Sequence, residues 1–154
     1  MQTGNKSKKA AAVFWILTAV VMGLVFFFSA QPADESAVQS SFILDFLSKI
    51  FGSMELSDFI VRKSAHFCEF ALLCFMFNWS FYFTKGKTQR ILSLCLTSAY
   101  AASDEFHQLF VEGRSCELKD WAIDTAGAAA GLMVFVILIL IINKLQGGKH
   151  NECN

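Results

Sequence analysis

Two apolar runs of about twenty residues, 11–30 and 121–142, constrain this 154-residue chain more than any other feature. Each is long enough to cross a hydrocarbon core about 30 Å thick as a helix, and about twice the length of a barrel strand. With 55% of residues in the hydrophobic set and 17% charged, the composition fits a single membrane-embedded unit better than a soluble domain. The first run follows Lys6, Lys8 and Lys9 but is too long for a signal h-region. Its exit at Ser29-Ala30-Gln31-Pro32 offers no small-x-small cleavage site, so it reads as a retained span.

Between these runs lie two spans that polar residues partly conceal. One covers 64–83 and carries His66, Glu69 and Asn78; the other covers 91–110 and ends in Asp104, Glu105, His107 and Gln108. The expected fold is therefore an all-α membrane protein with four transmembrane helices, joined by outer loops at 31–63 and 111–120. Charge placement orients it. The N-terminus and the 84–90 connector hold lysine and arginine without acids, whereas 31–63 holds five acids against three bases and 111–120 is also acidic, which puts both termini in the cytoplasm. In the first outer loop, Asp34 or Ser36 caps an expected interfacial helix with Phe42, Ile43, Phe46, Leu47, Ile50 and Phe51 on one side.

Counting along the spans brings acids on three helices toward one layer. Glu69 lies 14 residues from Phe83 and Asp104 lies 13 from Ile91, or roughly 20 Å in each case at about 1.5 Å per residue. Asp124, 18 residues from Ile142, lies about 27 Å along, close to the outer boundary. The spacing of Arg62, His66 and Glu69, of Asp104 and Gln108, and of Asp120 and Asp124 gives each helix one polar stripe. Gly127 and Gly131, in GAAAG, extend the last stripe as a close-packing surface. Polar stripes avoid lipid, so the acids should turn inward. With Arg62, Lys63, Arg114 and Lys119 at or above this layer, acids and bases would line a water-accessible pocket open to the outer leaflet.

Plainer roles are also available. Asp120 and Lys119 suit interface anchors, and GAAAG suits packing alone. His66 three residues before Glu69, with Asp104, Glu105 and His107, resembles metal-ligand spacing, but an ion-pair network suits those residues better and no metal is expected. No cofactor is indicated. Five cysteines lack paired or zinc-like spacing and read as small hydrophobes, and 13 basic against 13 acidic residues give no case for a nucleic-acid partner.

The set Arg62-Lys63-Ser64-Ala65-His66-Phe67-Cys68-Glu69-Phe70, Ser103-Asp104-Glu105-Phe106-His107-Gln108, Gly113-Arg114, Asp120, Asp124-Thr125 and Gly127 resembles the VanZ-like family of bacterial membrane proteins. Phe28-Ser29-Ala30-Gln31 with Ser36 extends the likeness, which runs from about 28 to 131. Phe70 and Asp124 stand where tyrosine and asparagine are commoner in the family. The resemblance implies a multi-pass protein of the bacterial plasma membrane, linked through the founding member to resistance to the lipoglycopeptide teicoplanin. It does not supply a mechanism.

The pocket residues support three readings. In the first, Arg62, Lys63 and Arg114 meet a phosphate or carboxylate of a lipid-linked or lipophilic ligand, while His66, Glu69, Asp104, Gln108, Asp120 and Asp124 orient its polar atoms. The partners are then membrane lipids, with a lipid-linked cell-wall precursor or a lipoglycopeptide as possible ligands and a homo-oligomer as a possible assembly. In the second, His66, Glu69, Asp104 and Glu105 are catalytic candidates of an enzyme acting on a phosphorylated lipid headgroup, although no nucleophile stands out among Ser29, Ser103 and Ser115. In the third, the acids relay protons or the bundle serves a larger assembly.

Overall fold

The computed structural model describes residues 3–32, 34–36, 38 and 58–151, with side chains over 8–32, 34–36, 38 and 59–145. Four helices account for nearly all of it: α1 (Thr3–Ser29), α2 (Asp58–Lys85), α3 (Arg90–Gln108) and α4 (Leu118–Asn151). No strand occurs among the described residues. Three stretches, Lys8–Ser29, Phe59–Lys85 and Leu118–Leu145, are long and apolar enough to cross a membrane. The chain is a membrane protein.

α2 is the central helix, packed against α4, α1 and α3. Side-chain bonds fix the register. Thr18 and Ser80 hydroxyls meet at 3.0 Å, and Trp15 Nε1 donates to Thr84 Oγ1 at 3.0 Å, so α1 and α2 run antiparallel. Tyr100 donates its hydroxyl to the Met22 carbonyl and Ser98 meets Thr125, tying α3 to α1 and to α4. Val25, Phe70, Leu73, Phe77, Phe81 and Ala101 form the buried apolar core. Away from it, Trp79 stacks on Phe14 and Phe83 and meets Phe135 edge-on, filling the α1–α2–α4 space with rings.

The glycine stripe does what its spacing predicts. A Cβ at Gly127 would overlap the backbone carbonyl of Phe67, and one at Gly131 that of Ala71, so α4 and α2 touch backbone to backbone. The α3 helix is built inside out relative to a helix of a soluble protein. Its buried positions are Ser93, Thr97, Ala101, Asp104, Glu105 and Gln108, while Ile91, Leu92, Leu96 and Phe106 are exposed.

The helices outrun the expected spans, α1 starting at Thr3 instead of 11 and α4 running to Asn151 instead of 142, and three boundaries near one end of the bundle also differ. α2 starts at Asp58 instead of 64, because Arg62 and Lys63 lie on the bundle side while Phe59 and Ile60 face outward, so charge does not end the helix. α3 stops at Gln108 instead of 110, where Leu109, Phe110 and Val111 fold back in turns onto the carbonyls of residues 106–108. α4 begins at Leu118, before 121, with the Glu117 carbonyl accepting from Asp120 and Trp121. The expected interfacial helix over 42–51 lies outside the described residues; Asp34–Ser36 is helical, and the Ser36 N–H bonds the Pro32 carbonyl.

Candidate functional site

One end of the bundle collects the C-termini of α1 and α3 and the N-termini of α2 and α4, with the 109–117 connection across it. Gly113, at φ 72°, takes a left-handed conformation that a side chain disfavours. The connection turns back there, and the Arg114 N–H bonds the Val111 carbonyl.

Beneath it is a cavity of about 110 Å³. Arg62, Lys63, His66 and Arg114 supply its basic wall, and Glu105, Glu117, Asp120 and Asp124 its acidic wall; Gln108, Gly113, Ser115 and Phe59 complete it. The acids are deep. Asp124 is 2% exposed, Glu105 4% and Gln108 5%. An engineered cavity of about 150 Å³ admits a benzene ring, so this one suits a phosphate-sized group with a few attached atoms.

Some of the charges are engaged with each other. Lys63 and Asp120 form an ion pair across α2 and α4. Glu105 Oε2 accepts from the Glu117 N–H at 3.0 Å, placing a carboxylate at the start of α4, where the helix dipole favours it. Others are not matched. Among the described residues no carboxylate lies within ion-pair distance of Arg62 or Arg114, and Asp124 Oδ2 is buried without a hydrogen-bond partner. Burial, and then the nearby Arg62 charge, push the Arg114 guanidinium below its ordinary value, while Asp104, Glu105 and Glu69 pull it back.

Arg114 also has a structural task that its sequence position conceals. Its Nε donates to the Gln31 carbonyl at 3.0 Å, and its Nη2 donates to Ser36 Oγ at 2.5 Å and to the Phe28 carbonyl at 3.4 Å. The guanidinium thus holds the end of α1 over the cavity. Ser29, weighed in the sequence as an ordinary serine, and Ser36, offered there as a helix cap, both take part in this end of the bundle. Ser29 is fully buried and donates to Asp104 Oδ2 at 2.7 Å, and Ser36 receives Arg114.

Two expected pocket acids stand behind the cavity wall. Asp104 faces α1 and Gln108, whose Nε2 donates to it at 3.2 Å. Glu69 lies 3.9 Å from His66 Nδ1, too far for a hydrogen bond, and neither acid lines the cavity. Lys119, placed near the same layer by the sequence, is exposed and does not line the cavity either. His107 packs on Phe26, with ring centroids 4.5 Å apart.

Among the described residues no group of three His, Cys, Asp or Glu converges as metal ligands. Of the serines weighed as nucleophiles, Ser29 bonds Asp104 and Ser103 the Tyr100 carbonyl, outside the cavity lining, while Ser115 donates to Glu117 within it.

A sequence model of the VanZ/LLP1 family matches residues 14–140, which takes in α2, α3, the cavity and most of α1 and α4. The chain belongs to the VanZ/LLP1 family. No curated protein and no solved structure matches it. As a VanZ-like protein it carries the cavity residues Arg62, His66, Glu105, Gln108, Arg114 and Asp124 within the matched region.

Proposed function

We propose that this VanZ-like protein sits in the bacterial plasma membrane and binds the polar head of a lipid-linked ligand in the cavity between α2, α3 and α4. One observation carries the reading. Two guanidiniums without carboxylate partners among the described residues share a small cavity with a buried Asp124 oxygen that lacks a hydrogen-bond donor. A phosphate or carboxylate answers the first need and a ligand hydroxyl or amine the second.

In this reading α3 is a fourth span, since it exposes apolar residues and buries polar ones. Both termini are cytoplasmic, and the cavity opens toward the outer leaflet. A cavity of about 110 Å³ takes a headgroup and not a glycopeptide core. Any link to teicoplanin resistance therefore runs through an envelope lipid rather than through enclosure of the drug.

Native mass spectrometry of gently solubilised protein tests the reading. Wild type should retain an anionic lipid that Arg62→Gln and Asp124→Ala lose while keeping the wild-type melting temperature. Wild type that emerges bare, or lipid retention equal in all three, overturns it. Conversion of a labelled envelope lipid by wild type but not by His66→Ala would move the protein into the enzyme class.

A further inference from the structure

A second depression adjoins the polar cavity. It is an apolar groove of about 480 Å³ on the outer surface of α2 and α4, lined by Phe59, Ile60, Lys63, Ser64, Phe67, Cys68 and Ile123. Phe59 and Lys63 line both spaces. The Lys63 ammonium sits 5.2 Å from the Phe59 ring centroid and is paired with Asp120, so it stands on the threshold between them. From Phe59 to Cys68 the groove follows α2 for about 13 Å.

From this continuity we infer that one phospholipid occupies both spaces, its phosphate at Arg62 and Lys63, its headgroup in the cavity and one acyl chain along the α2–α4 groove. The inference rests on the headgroup reading above and adds where the chain lies and how the ligand enters. Polarity changes at the same place in the protein and in the ligand. The cavity is walled by charged side chains, the groove by apolar ones, and a cation marks the boundary where a phospholipid carries its phosphate. Entry is sideways from the membrane, between α2 and α4. A chain gains little by leaving other lipid chains for a groove that faces lipid, so the headgroup supplies affinity and the groove supplies fit.

The test uses the full chain in phosphatidylcholine nanodiscs. The first probe is a phosphatidylglycerol analogue with a diazirine on one acyl chain, with adducts mapped by mass spectrometry. The second is soluble glycerophosphate, whose binding reads the cavity alone. Adducts should concentrate on Phe59–Cys68 and around Ile123, and excess unlabelled phosphatidylglycerol should remove them while diacylglycerol does not. Ser64→Trp and Cys68→Trp replace exposed side chains, so each fills the groove without crowding a packed neighbour. Each should lower groove adducts by about threefold or more, the scale of a packing effect rather than of transfer from water, and leave glycerophosphate binding unchanged.

Adducts spread evenly over exposed Ile16, Leu24, Met133 and Leu140 would overturn the inference, as would groove adducts indifferent to both tryptophans. Disulfide-linked dimers through Cys68 would assign the groove to a second copy and overturn it as well. The two failures are distinguishable. Glycerophosphate bound through Arg62 without groove adducts ends this inference alone; groove adducts with no Arg62-dependent glycerophosphate binding end the headgroup reading and this inference with it.

Discussion

Ser29, in the last turn of α1, donates a 2.7 Å hydrogen bond to Asp104 of α3, and both residues are buried. The bond joins two helices through residues that are 75 apart in the chain. Asp104 Oδ1 has no partner, so the Ser29 and Gln108 donors to Oδ2 carry its hydrogen bonding. Ser29→Ala should cost about 1–3 kcal/mol, the scale for leaving a buried acceptor short of a donor. The thermal midpoint in detergent measures it, and a midpoint equal to wild type would remove the bond from the account of stability.

Gly127→Ala and Gly131→Ala should each destabilise the bundle by about 1–3 kcal/mol or more, since the added methyl meets α2 backbone that cannot rotate away. Gly23→Ala is the control. A Cβ there meets nothing within 4 Å, so alanine should be neutral or stabilise α1 by up to about 1 kcal/mol. Equal melting shifts at all three positions would contradict the backbone contact.

Lys63 and Asp120 should show coupling in a double-mutant cycle. Their side chains are 24% and 12% exposed, so the pair lies between surface and interior and should couple by about 1 kcal/mol or somewhat more. Lys63→Gln or Asp120→Asn alone should lower the melting temperature more than the double variant does. Additive losses would show that the pair is only adjacent.

Arg114→Lys should fail to replace arginine although charge is kept. A lysine has no planar fork to serve the Gln31 and Phe28 carbonyls and Ser36 together. The expected loss is about 1–3 kcal/mol. Arg62→Lys, which has no comparable set of contacts among the described residues, should melt like wild type.

The proposed orientation predicts opposite labelling of two connectors. In a background without the native cysteines, a cysteine at Glu112 should react with a membrane-impermeant maleimide in intact cells. One at Lys87 should react only after permeabilisation. The reverse pattern would invert the topology, and reaction at both from outside would remove α3 from the membrane.

Much of the site could be read from helical spacing alone, because each polar stripe that avoids lipid must point into the bundle. Arg62, His66, Gln108, Asp120 and Asp124 meet at the cavity for that reason. Depth was harder to read. Glu69 shares the stripe of Arg62 but lies seven residues, or about 10 Å, further along α2, past the floor of the cavity. Asp104 and Glu105 are neighbours in sequence, and a turn of about 100° between them decides that one meets α1 and the other the start of α4. No periodicity announces the role of Arg114, because its partners are two backbone carbonyls and a serine at the far end of another helix. The groove was invisible for a different reason: Phe59, Ser64 and Cys68 look like ordinary lipid-facing residues until α4 is placed beside them.

The Arg114 contacts with Gln31 and Phe28 bridge 83 and 86 residues. Closing a loop of that size is entropically slow, and it is rewarded only after the intervening helices have found each other. The fastening of the end of α1 by Arg114 is therefore a contact that rewards the chain only once all four helices are in place.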